Sequence, residues 1–128
     1  MDAKQVARTI FLLAAIYDFT LGLIFAFFHV QIFNYLGIPV PSDTQYLIGG
    51  ALLIALFGVA FYFVYKSIDK NKDLYKMGIM FKALYVILAL YFYFIVQSAH
   101  LIFFLFAIPD AIILVPLVLF YKKVYPNG

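Results

Sequence analysis

Polar residues along this chain come in clumps, and the stretches between the clumps are almost continuously apolar. Four stretches stand out, at about Ala7 to Val30, Tyr46 to Tyr65, Tyr75 to Val96 and Ala99 to Tyr121. Each has about the 20 apolar residues that a helix needs to cross a bilayer. Alternation of apolar and polar positions at period two is absent, so a membrane β-barrel does not fit. The breaks have turn chemistry. Gly37-Ile38-Pro39-Val40-Pro41 stops a helix, and Ser42 and Asp43 offer N-caps to the next one. The connector from Lys66 to Lys76 is charged. Between the last two stretches only Gln97-Ser98 intervenes, which predicts a tight antiparallel hairpin. The pattern predicts an all-α, integral-membrane four-helix bundle, with residues 1–128 as a single domain.

Composition points the same way. The chain is 67% hydrophobic and 12% charged, against about 45–50% and about 25% in soluble domains. A soluble monomer of this size buries too little of its surface to hide so much oil. That argues against a soluble enzyme, a nucleic-acid-binding domain and a disordered chain. There is no cysteine, hence no disulfide, no thiolate nucleophile and no zinc–thiolate site.

The net charge of +3 is informative through its placement. Lys4 and Arg8 precede the first stretch, Lys66, Lys70, Lys72 and Lys76 fill the second connector, and Lys122 and Lys123 follow the fourth stretch. The first and third connectors have no basic residue. Four spans bring both termini to the basic side, and basic loops stay inside. The expectation is N-in, C-in, multi-pass in the inner (plasma) membrane, with the Pro-rich connector outside. The basic rim can hold anionic lipid headgroups, but its preferred reading is an orientation signal only. The first stretch is too long, and too polar at Asp18, for a cleaved signal peptide.

Three charges interrupt the oil: Asp18 in the first stretch, Lys82 in the third and Asp110 in the fourth. An ionised side chain at mid-bilayer costs about 2.5–3.5 kcal/mol on insertion scales, so these residues need partners. Counted from the nearest flanking base at 1.5 Å per residue, Asp18 lies about 15 Å deep, Asp110 about 18 Å and Lys82 about 9 Å. The long lysine stem can reach the carboxylate layer or snorkel to water. Gly78, Lys82, Tyr85, Ala89 and Tyr93 form one stripe of the third helix, and Ala51, Ala55, Gly58, Tyr62 and Tyr65 one stripe of the second. An interior of Asp18, Lys82 and Asp110, with Tyr62 and Tyr85 as hydroxyl partners, is the candidate ligand-binding cluster. Its formal charge is −1 with all three ionised, so it is expected to keep an extra proton or to admit water or a cation. Structural glue between helices and independent snorkelling are the competing readings.

Other signals are weaker. His29 and His100 fall near the outer surface, where interfacial histidines without a ligand are the preferred reading over a metal site. Pro109 and Pro116 can each kink the fourth helix, and Pro109 would free a carbonyl near the charge layer. Eleven Tyr and sixteen Phe suit bulk packing or a flat apolar ligand such as a quinone. No HExxH, GxSxG or P-loop is present, and no catalytic residue or cofactor is assigned.

Tyr17-Asp18 with Gly22, the Ile38-Pro39 exit, Gly49-Gly50 with Gly58 and Tyr62, Gly78 with Lys82, and Asp110 together resemble the small four-helix DoxX-like membrane proteins of bacteria and archaea. The resemblance implies a four-helix membrane fold and an association with quinone-linked thiosulfate oxidation. The first helix lacks the Gly-rich stretch ending in Lys expected of DoxX itself. Two functions lead the expectations, ahead of a third, a membrane enzyme or quinone-reactive subunit. One is a protein that binds or moves a small polar or amphiphilic solute at the Asp/Lys/Asp cluster. The other is a non-catalytic subunit or assembly factor of a membrane complex. A homodimer or larger membrane complex is the expected partner state, and nucleic acid is not a partner.

Overall fold

The computed structural model describes residues 2–127. It is all-α, with helices α1 (Ala3–Leu36), α2 (Gln45–Lys66), α3 (Lys72–Leu90) and α4 (Leu101–Val124). A 3-10 turn at Ile68–Lys70 joins α2 to α3, and a π-helical turn at Tyr91–Ile95 extends α3. Counting that extension, four helices are long and apolar enough to cross a bilayer.

Helix α1 has 34 residues and runs past the expected exit at Val30, because Gln31 to Leu36 contain no helix breaker. Asp2 caps its start by accepting the Gln5 N–H at 2.8 Å. Gly37 ends it with φ +72°, a left-handed conformation suited to glycine. There the Ile38 N–H reaches Phe33 O at 2.8 Å and the Gly37 N–H reaches Asn34 O at 3.3 Å, which satisfies two terminal carbonyls. Of the two cap candidates before α2, Asp43 accepts the Gln45 N–H at 2.9 Å. At the far end of α2, the Asn71 amide donates to Phe63 O and Ser67 O. His100 caps α4 through Nδ1, which accepts the Ile102 N–H at 3.1 Å. Helix α4 continues through both prolines, and the backbone departs from helical geometry instead at Phe28 in α1.

Each of α1 and α3 packs against both α2 and α4. The α1–α2 seam is built on small residues. A Cβ at Gly22 would collide with Ala51 O and Ala55 N, and one at Gly58 would stand 2.7 Å from Phe19 N and 2.9 Å from Ala15 O. Backbones come this close only where side chains are small. Gly78 of α3 makes room for the ring of Phe61, whose edge would lie 2.9 Å from an added Cβ.

The core sits toward the basic end. Tyr75 is fully buried there; its ring lies 4.8 Å from Phe11, 5.4 Å from Tyr121 and 5.5 Å from Tyr125. Its hydroxyl donates to Leu117 O at 2.7 Å, tying α3 to α4. Tyr125 donates to Ile68 O in the connector. The other end is looser. The five residues of the π-helical turn include none that is buried. Large apolar side chains such as Phe27, Ile95, Ile112 and Leu119 are exposed, a surface suited to hydrocarbon as solvent.

Candidate functional site

The three charged side chains come together. Lys82 Nζ of α3 donates to Asp18 Oδ1 at 2.9 Å and Oδ2 at 2.7 Å on α1, and to Asp110 Oδ1 at 2.5 Å on α4. Lys82 is 0% exposed, Asp18 2% and Asp110 4%. An ammonium has three donors, and all three are used here. The snorkelling reading is therefore corrected: the lysine stem turns inward, where two carboxylates replace the water its head would otherwise seek.

Local sequence explains the convergence. Gly78 lies one turn before Lys82, and Ala14, Ala15 and Gly22 line the same buried face of α1 as Asp18. Ala107 lies one turn before Asp110 on α4. These small neighbours let three backbones approach a lysine's reach. Aromatic faces complete the enclosure, with the ammonium 5.6 Å from the Tyr17 ring, 5.6 Å from Phe61 and 5.7 Å from Phe81. Cation–π attraction contributes about 0.5–2 kcal/mol at such sites. Tyr17 also donates to Phe106 O at 3.0 Å, a second α1–α4 link beside the charges.

The two tyrosines chosen from the sequence part company. Tyr62 is 46% exposed and lies on the outer face of α2. The buried stripe of α2 runs through Ala51, Ala55, Gly58, Phe61 and Val64, so Phe61 holds the inward position assigned to Tyr62. Residues 61 and 62 are both within helical spacing of Gly58, and the bulkier apolar contact with Phe11, Phe57 and Phe81 decides the register. Tyr85 is half-buried, one turn beyond Lys82 and within electrostatic range of both carboxylates.

Tyr85 also lines a feature the sequence did not reveal. An apolar cleft of about 300 Å³ opens among the four helices on the side away from the basic rim. Leu21, Phe25, Ala51, Ile54, Phe103 and Phe106 form much of its wall, and Gly50 leaves one side open. That volume is at the lower limit for small-molecule sites. The cleft exists because α2 and α3 make their ring contacts near the basic half, through Phe57, Phe61 and Phe81. Rings of α1 meet α4 instead in the outer half, with Phe25 against Phe106 at 5.6 Å.

The remaining candidates are occupied locally. His29 is buried and holds Phe25 O and Ala26 O through Nδ1, at 3.1 and 3.2 Å. His100 Nδ1 serves as the α4 cap. Among the described residues no group of three or more His, Cys, Asp or Glu side chains is placed to hold a metal. The chain matches no family model, no curated protein and no solved structure.

Proposed function

We propose that the chain is a four-span protein of the inner (plasma) membrane, N-in and C-in, that binds an amphiphilic, membrane-soluble molecule. The observation that carries this reading is the apolar cleft bordered by Tyr85, beside the Asp18–Lys82–Asp110 triad. An apolar body fits the phenylalanine walls, and a polar end group finds the Tyr85 hydroxyl in the field of the charges. The triad links α1, α3 and α4, three of the four helices that wall the cleft, and Tyr85 is the lining residue one turn from Lys82.

Two experiments test it. The chain has no cysteine, so single cysteines label without background. Ser42→Cys reacts with a membrane-impermeant maleimide in intact cells, and Ser67→Cys only after permeabilisation; the reverse pattern contradicts the orientation. For the cleft, the probe is monodecanoylglycerol, a neutral amphiphile, added to purified protein and followed by native mass spectrometry. The parent retains it and Gly50→Phe loses it at least tenfold. Equal retention by both contradicts the cleft as the site.

A second reading is a non-catalytic subunit or assembly factor of a membrane complex, quinone-linked if the DoxX-like resemblance carries over. It is favoured by the sealing of the triad, whose lysine has its donors satisfied within the chain. Its mark is co-migration with other membrane proteins in mild detergent.

A further inference from the structure

A second cavity, at the opposite end, is lined mainly by charged and polar residues. It measures about 500 Å³ and lies where the start of α1 meets the end of α2, with Lys4, Arg8, Lys66, Ser67, Asp69 and Lys70 among its lining residues. It holds four cations, and Asp2 and Asp69 are its acids. Both acids have tasks: Asp69 pairs with Lys4 at 2.6 Å, and Asp2 caps α1. Arg8, Lys66 and Lys70 are in no ion pair among the described residues. The cavity therefore carries a positive excess.

Arg8 is also held in one orientation. Its Nε donates to Tyr65 O at 2.9 Å, its Nη1 donates to Gln5 Oε1 at 3.3 Å, and its guanidinium lies 4.9 Å from the centre of the Tyr65 ring. A guanidinium fixed in this way loses less freedom when it binds an oxyanion. Directly along the same α1–α2 seam lies an apolar groove of about 250 Å³, lined by Leu12, Ala15, Ile16, Phe19, Val59 and Tyr62. Leu12 follows Arg8 by one turn and Tyr62 precedes Lys66 by one turn, so the polar cavity and the groove adjoin. From Arg8 to Phe19 the helix rises about 16 Å, close to half of the roughly 30 Å hydrocarbon core.

We infer that this seam is a binding site for one anionic phospholipid of the inner leaflet. Its phosphate sits among Arg8, Lys66 and Lys70, and one acyl chain lies along the groove to Phe19. The assignment rests on the membrane reading above. Tyr62, turned outward by the inward packing of Phe61, borders the groove beneath the basic cavity.

The test uses the full chain in nanodiscs and in neutral detergent, with dioleoylphosphatidylglycerol and dioleoylphosphatidylcholine as probes in native mass spectrometry. The parent binds the phosphatidylglycerol at least about tenfold more tightly, from two or three basic contacts near the surface. Lys66→Gln/Lys70→Gln, which breaks no hydrogen bond given above, lowers that preference to twofold or less. Lys72→Gln/Lys123→Gln removes the same charge elsewhere on the rim and leaves the preference intact. Ile16→Trp, which fills the groove, lowers affinity for both lipids. Equal losses from the two lysine pairs would mean diffuse attraction to the rim and overturn the site. Competition by millimolar inorganic phosphate as effective as by the lipid would make the ligand a free phosphate and overturn the lipid. A chain that fails to enter nanodiscs rejects the membrane reading, whereas one that enters and shows no lipid preference rejects the site alone.

Discussion

The two halves of this molecule solve the packing problem differently. At the basic end, Phe11, Phe61, Tyr75, Leu117 and Tyr125 interlock, and the hydroxyls of Tyr75 and Tyr125 find backbone carbonyls. At the other end, α2 stands apart from the aromatic contacts among α1, α3 and α4, and a cleft remains. The triad of Asp18, Lys82 and Asp110 lies where the one gives way to the other. Between apolar helices in lipid there is little hydrophobic drive to associate, so close packing and polar links decide which faces meet. The difference teaches that interlocked rings close one half, and that the triad links α1, α3 and α4 at the border of the half that keeps a cleft.

Substitutions can break this contrast, and the largest effect belongs to Lys82. Lys82→Met leaves two carboxylates facing each other in a dry site and should lower stability by about 3–5 kcal/mol, the range for breaking a buried pair; thermal unfolding in detergent measures it. Next comes the α1–α2 seam. Gly22→Ala drives a methyl into the Ala51 and Ala55 backbone, an overpacking expected to cost about 1–3 kcal/mol. Gly49→Ala, with nothing within 4 Å of its added carbon, should stay within about 0.5 kcal/mol. Equal effects of the two glycine substitutions would erase the distinction between the close α1–α2 seam and the open side of α2 at Gly49. Tyr75→Phe removes one buried hydrogen bond and should cost about 1 kcal/mol.

A pH dependence probes the packed end from another side. Burial, the Asp69 charge and Tyr121 push the Tyr125 phenol up to about 12 from its ordinary 10. The folded state thus favours the neutral phenol. That contribution is whole below pH 10 and is lost as pH rises toward 12. Titrating stability between pH 9 and 12 should show a steeper decline for the parent than for Tyr125→Phe. Parallel curves would leave Tyr125 without a part in the packed half.

Much of this was legible in the residues, for reasons that differ by position. The triad could be anticipated because a charge in oil has few options, and Asp18, Lys82 and Asp110 had depths that a lysine stem could bridge. The tight α3–α4 hairpin followed from the shortness of Gln97-Ser98, although Gln97 itself takes φ +59° and a π-helical turn precedes it. Tyr62 was misplaced because helical spacing does not distinguish positions 61 and 62, and only tertiary contact with the rings of Phe11 and Phe81 does. Helix α1 outruns its apolar stretch because Gln31 and Asn34 end the apolar run without ending the helix; Gly37 ends it. The cleft had no signature of its own, since a cavity is a property of how helices diverge.

The most direct test of the account is a charge-removal cycle read by thermal unfolding in one detergent at fixed pH. Lys82→Met alone should fall far below the parent, and adding Asp18→Asn and Asp110→Asn to it should recover most of the loss, because neutral amides no longer repel across the gap left by the ammonium. A Lys82→Met chain as stable as the parent, or a triple variant no better than Lys82→Met, would contradict the claim that this ion triad ties α1, α3 and α4 together.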